Sequence, residues 1–222
     1  MAPAQPTLPL SGLVLLSAPP KSGASTWALS LAHAVATGAD FPGVPAAAPA
    51  TALYVTYNGI PNVRLPFADR LYIANDLPTL DVNHWPVEIA VFAAIHRPAL
   101  IVIDPLLDAI GRIDIDRRRS ARRLMERLRR LASETGACIL LVHHARADGH
   151  TPVCSAELSL GADTNLAARQ VWPGGRVGLL LETVVSNLAR NGPTVAGLSS
   201  KCVTRASDPA GPVSLGRLGL WT

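Results

Sequence analysis

The stretch Leu13–Thr26, L-V-L-L-S-A-P-P-K-S-G-A-S-T, decides the fold. Leu13, Val14, Leu15 and Leu16 read as a buried strand. A loop of small residues follows, and an Ala- and Leu-rich segment from Trp27 reads as a helix. Strand, tight loop and helix N-terminus make the layout of a phosphate-binding loop, where backbone N–H groups and the helix dipole hold a polyphosphate. Its motif is G-x-x-x-x-G-K-[ST]. Aligned on Gly23, Ala18 stands for the first glycine, Ala24 for the lysine and Ser25 for the hydroxyl that reaches Mg²⁺. The candidate nucleotide-binding residues are therefore Lys21, Ser22, Gly23, Ala24, Ser25 and Thr26, and the loop lacks its main cationic side chain.

Outward from this loop, short apolar runs alternate with helical patterns. Trp27–Thr37 reads as a helix ended by Gly38, Pro45–Ala50 as a loop, Leu53–Tyr57 as a strand and Arg70–Ala74 as a short strand. Val87–His96 reads as a helix stopped by Pro98, and Leu100–Ile103 as a strand ended by Asp104-Pro105. In Ser120–Thr135 the residues Ala121, Leu124, Met125, Leu128, Leu131 and Ala132 form the stripe of a helix with one buried face. Gly136 caps it and Cys138–Val142 is the next strand. Strands alternating with helices predict an α/β fold with a central, mostly parallel sheet and helices on both faces. Beyond Asp148, Val177–Val185 and Val213–Leu220 read as strands of a small C-terminal β extension, and Ala147–Pro152 and Lys201–Pro212 as loops.

With 222 residues, one domain is expected: a flexible segment at 1–10, a nucleotide-site core at 11–146, and C-terminal strands and loops at 147–222. Apolar residues are 49% of the chain and charged residues 16%, which supports a large core and argues against bulk disorder. The net charge of +4 permits an acidic partner without requiring one. Cys138, Cys154 and Cys202 are too widely spaced for a C-x-x-C metal site or a disulfide framework. No apolar run reaches transmembrane length, and no signal peptide is evident at the N-terminus, so the expectation is a cytoplasmic protein without a membrane partner.

Two further motifs bear on the loop. In P-A-L-I-V-I-D-P-L, Pro98 to Leu106, an apolar strand delivers Asp104 at its carboxyl end, where such a carboxylate holds the Mg²⁺ of a bound nucleotide. Asp-Pro is also a common turn starter; the phosphate loop upstream favours the metal reading, with Ser25 and Asp104 as its ligands. In C-I-L-L-V-H-H-A-R, Cys138 to Arg146, a strand ends in a histidine pair. A RecA-like class of proteins senses a γ-phosphate from that position, and His144 is the candidate sensor.

The ordered set P-K-S-G-x-S, A-V-A-T-G (Ala34–Gly38), F-P-G (Phe41–Gly43), L-Y-V (Leu53–Val55), R-L-Y-I-A (Arg70–Ala74), L-I-V-I-D-P-L and L-L-V-H-H-A-R resembles the RepA-like ATPases. These are single-domain, RecA-fold proteins of plasmids, phages and mobile elements, related to hexameric replicative helicases. The resemblance covers Leu13 to Arg146 and, faintly, Leu158–Ala168. It implies a RecA-like P-loop core, ATP and Mg²⁺ as ligands, and a homo-oligomer such as a hexamer-type ring or a larger DNA-associated assembly. Carried over by position, the loop lysine falls on Ala24, the acidic residue that polarises the attacking water falls on Asn58, and the lysine after H-H-x-R falls on Ala147. Lys21, Ser22 and Ser25 match. A designed lysine-to-alanine change would account for position 24 alone; the loss at Asn58 as well points to natural divergence.

Three readings follow: a catalytically impaired RepA-like binding or assembly component linked to the DNA of a mobile element; an active Mg²⁺-dependent ATP hydrolase or DNA translocase using Lys21; and an interaction module with no nucleotide role. The arginines between Arg117 and Arg130 cluster on one helix without interleaved aromatics. They read as a solvated face, a subunit interface, or a surface that holds nucleic acid through charge, with Arg118, Arg122 and Arg129 as candidates.

Overall fold

The computed structural model describes residues 11–41, 47–75, 77–80, 87–145, 156–171, 178–186 and 199–202. β1 (Gly12–Ala18), β2 (Ala52–Thr56), β4 (Leu100–Asp104) and β5 (Cys138–His144) are almost continuously apolar. Strands of that kind are stable only when both faces of the sheet are covered, which is the condition of a parallel sheet. With β3 (Leu71–Asn75) and β6 (Thr164–Val171) they form six parallel strands in the order β3-β2-β4-β5-β1-β6. β7 (Gly178–Ser186) and β8 (Ser199–Cys202) extend the same sheet antiparallel to the edge of β6. The α/β, RecA-like P-loop core expected from the sequence is therefore present, with its small C-terminal β extension.

Strand alternation divides the core in two. Val14, Leu16, Tyr54, Val102 and Leu140 face helix α1 (Ala24–Thr37), which contributes Trp27, Leu31 and Ala32. Leu13, Leu15, Ile101, Ile103, Ile139 and Leu141 face the other layer. That layer holds α2 (Val87–His96), α3 (Leu106–Ala109), α4 (Arg118–Thr135) and α5 (Ala156–Gly161). Gly38 ends α1 at φ 71°, its amide bonded to the Ala34 carbonyl. A Cβ there would run into the Ala47 carbonyl oxygen and Pro49, so only glycine fits this turn.

Elements read from periodicity recur within three residues of their expected ends, while the short helices α3 and α5 have no counterpart in that reading. Three details stand out. The strand at Thr164–Val171 has no apolar alternation, because Thr164, Asn165, Arg169 and Gln170 interrupt it. α1 begins at Ala24 rather than Trp27, with the loop residues Ser25 and Thr26 in its first turn. Lys201 and Cys202, read as loop, belong to β8, which pairs with β7. The expected strand at 213–220, the loop at 147–152, Cys154, and the candidates Arg146 and Ala147 lie outside the described residues. Among the described residues no helix is long and apolar enough to cross a membrane.

Candidate nucleotide site

Ligands of open α/β sheets bind beyond the carboxyl ends of the strands, where chain connections diverge to either side. Here β1 is flanked by β5 and β6, and its chain leaves for the distant β2. The loop after β1 turns tightly: the Ser22 amide donates to the Pro19 carbonyl at 3.2 Å, and Lys21 and Gly23 adopt left-handed φ values of 61° and 96°. No side chain caps α1 and its first turn carries no acid, so its leading amides are left for an anion.

These residues line a cavity of about 330 Å³ together with Thr56, Asn58, Asp104, His143 and His144. Binding pockets span roughly 300–1,000 Å³, so this one lies at the small end of the range. All nine residues expected at the nucleotide and metal positions (Lys21 to Thr26, Asn58, Asp104 and His144) are on its wall. Arg118, Arg122 and Arg129 are not; α4 packs on the sheet face opposite α1.

Asp104, the candidate metal ligand, is 3% exposed. The Ser25 hydroxyl donates to its Oδ1 at 3.2 Å, across 79 residues of chain. The Tyr54 hydroxyl donates to its Oδ2. Burial pushes the Asp104 carboxyl up, against the hydrogen bonds from Tyr54 and Ser25 and the nearby His144, which lower it. Burial likewise raises the Tyr54 phenol, with the Asp104 charge adding to the effect, so Tyr54 is a fixed donor. A hard oxygen pair such as Ser25 and Asp104 suits Mg²⁺, which keeps several waters and takes few protein ligands. The buried Ser22 hydroxyl has no hydrogen-bond partner among the described residues, as expected of a loop built around a polyanion.

The two histidines part company. His144 stands in register with Ala18, on the α1 side with Asp104; His143 stands in register with Ser17, on the opposite face. His143 is 1% exposed, and neither ring nitrogen finds a partner among the described residues. Burial, and secondarily His144, push its imidazole down from 6.5 to about 4. Sequence reasoning passed over His143 and Tyr54. Strand alternation could have flagged His143, which cannot share a face with His144; Tyr54 needed the register of β2 against β4.

A family model described as AAA domain matches residues 4–150, about two thirds of the chain. The chain belongs to the AAA domain family. As an AAA domain it is a P-loop protein of a nucleotide-binding ATPase family, consistent with the sheet order and the loop after β1. Comparison with curated proteins gives no match. Two positions of this AAA domain differ in residue type from the loop motif and its resemblance as aligned on Gly23. Ala24, aligned with the motif's lysine, is 7% exposed, and the turn after β2 offers the Asn58 amide on the cavity wall. That turn is closed by the Thr56 hydroxyl donating to the Gly59 carbonyl at 2.8 Å.

Proposed function

We propose that this protein is a catalytically impaired RepA-like P-loop protein that holds ATP with Mg²⁺ and acts as a binding or assembly component, in the replication or maintenance of a mobile element. The observation that carries this reading is the Ser25–Asp104 hydrogen bond inside a cavity whose wall also bears Ala24 and Asn58. The binding half of the site is assembled; the two side chains that would drive transfer are absent. The RepA-like resemblance makes a homo-oligomer, up to a hexamer-type ring, the matching assembly.

Titration with ATP, with and without Mg²⁺, tests the reading. Binding that tightens with Mg²⁺ and is lost in Asp104→Ala is expected. Ala24→Lys should then tighten ATP by about 10–100-fold, the worth of one charge-assisted hydrogen bond at about 1.5–3 kcal/mol. Absence of ATP binding in the native chain would reject this reading in favour of an interaction module. No gain from Ala24→Lys would mean that Pro19-Pro20 or the neighbouring residues have closed the cradle, and would favour the interaction module.

A second reading, attachment to nucleic acid through α4, is favoured by Arg119 and Arg123. Both are exposed and have no acidic partner among the described residues. The first candidates are engaged within the molecule. Arg118 pairs with Glu157 at 2.5 Å, and Arg122 with Glu126 at 3.0 Å. Arg129 donates to the Gly161 carbonyl at 2.6 Å and lies 3.9 Å from Asp163. Neutralising Arg118 or Arg129 therefore also removes a contact between α4 and the α5–β6 segment. The double variant Arg119→Ala, Arg123→Ala isolates the surface: the slope of log K against log salt for duplex DNA should flatten by about 2, roughly 1 for each phosphate no longer neutralised. An unchanged slope with unchanged stability would remove α4 as the nucleic-acid surface.

A further inference from the structure

Thr56 and Asp104 are register partners at the ends of β2 and β4, so Tyr54, two residues before Thr56, shares the α1 face with Asp104. Its ring is fully buried and runs toward the carboxyl end of the sheet, where the hydroxyl meets Asp104 Oδ2 and lies 3.5 Å from the Ser25 carbonyl oxygen. The Asp104 carboxylate thus carries one donor on each oxygen: Ser25 from the loop on Oδ1, Tyr54 from the interior on Oδ2. A carboxylate with a single donor can turn about its Cβ–Cγ bond. One held from two sides cannot.

We infer that Tyr54 is a positioning residue of the metal site: by holding Oδ2 from within, it aims Oδ1 and the Ser25 hydroxyl at the place where the Mg²⁺ of a bound nucleotide sits. The inference rests on the nucleotide reading above and assigns a role to a side chain outside the loop motif. Tyr54 lies on no loop, lines no part of the cavity, and acts only through Asp104. Partners of metal ligands of this kind commonly change metal affinity by about 10–100-fold when removed.

A phenol that merely satisfies its own hydroxyl in the core would affect stability alone, so the test reads metal coupling. Calorimetric titration of ADP with and without Mg²⁺ gives the ratio of the two dissociation constants for the native chain and for Tyr54→Phe. Tyr54→Phe should reduce that ratio by about tenfold, the low end for removal of a metal ligand's partner, while Mg²⁺-free ADP affinity stays within about twofold. An unchanged ratio would overturn the positioning role and leave the nucleotide reading standing. A native chain showing no Mg²⁺ coupling would overturn both. Should Tyr54→Phe fail to fold, the Tyr54 hydroxyl proton of the native protein, followed by NMR, serves instead. It should shift on addition of Mg²⁺ with ADP and stay in place with ADP alone; no shift with Mg²⁺ and ADP defeats the inference.

Discussion

ATP supplied with Mg²⁺ is expected to turn over no faster with the native protein than with its Asp104→Ala variant. The loop lysine bridges β- and γ-phosphates and offsets charge that grows in the transition state. Loss of one preorganised donor of this kind costs about 3–4 kcal/mol, roughly 10²–10³ in rate. At Asn58 an amide can orient water but cannot accept its proton, and loss of a general base costs a further factor of about 10²–10⁴. The two losses need not multiply, since groups acting as a unit are not additive. Lys21 is the one cation of the loop, exposed at the turn with φ 61°. It lies on the cavity wall, three residues before the position aligned with the motif's lysine. A turnover measurement by phosphate release decides the matter. An Asp104-dependent rate of about 1 s⁻¹ or more, within the range of ordinary enzymes, would show that Lys21 does substitute and that the site is active.

Acidification should destabilise the fold through His143. The imidazole is buried and neutral, and its value falls from 6.5 to about 4 in the folded chain. Between those values the unfolded chain binds the proton and the folded chain does not, so stability is present above about 6.5 and lost as the pH falls toward 4. The full loss amounts to about 3 kcal/mol. Asp104 acts in the opposite sense, because its raised carboxyl takes up a proton in the folded chain before it does so unfolded. The His143 contribution is therefore read as a difference. Urea unfolding of the native chain and of His143→Leu at pH 7 and pH 4.5 should show that the variant loses about 2–3 kcal/mol less on acidification. Equal losses in the two proteins would mean that His143 is protonated in the folded state, with a partner for its charge.

Apart from the one-turn α3, the order of strands and helices from Leu13 to His144 was legible in the sequence because each of these elements carries a local signal. Continuous apolar runs mark strands covered on both faces, and the Leu124, Leu128, Leu131 stripe marks a helix covered on one. The loop residues were legible for a related reason: a phosphate cradle is built from consecutive backbone amides, so its members are neighbours in the chain. Past Asp148 the local signal fades. β6 stands beside β1 although Asn165 and Thr164 break its apolar pattern, because Asn165 is buried with its amide donating to the Ser159 carbonyl at 2.9 Å. That compensation comes from another element and leaves no trace in periodicity.

The order of the strands in the sheet, with β4 and β5 inserted between β1 and β2, was decided only by tertiary structure. So was the pairing of Arg118 and Arg129 with the α5–β6 segment, which gives two exposed charges partners within the molecule. The same holds for the roles around Asp104. Fifty residues separate it from Tyr54, and their hydrogen bond exists because β2 and β4 pair in one register. A shift of that register by one residue would send Tyr54 to the opposite face. Adjacent His143 and His144 likewise had to face opposite ways, which alternation alone requires; that His143 is the buried one, 1% exposed, was decided by the tertiary packing. Local sequence specified which residues were available to the site. Long-range register and helix packing, which depend on contacts between distant segments, specified which of them touch.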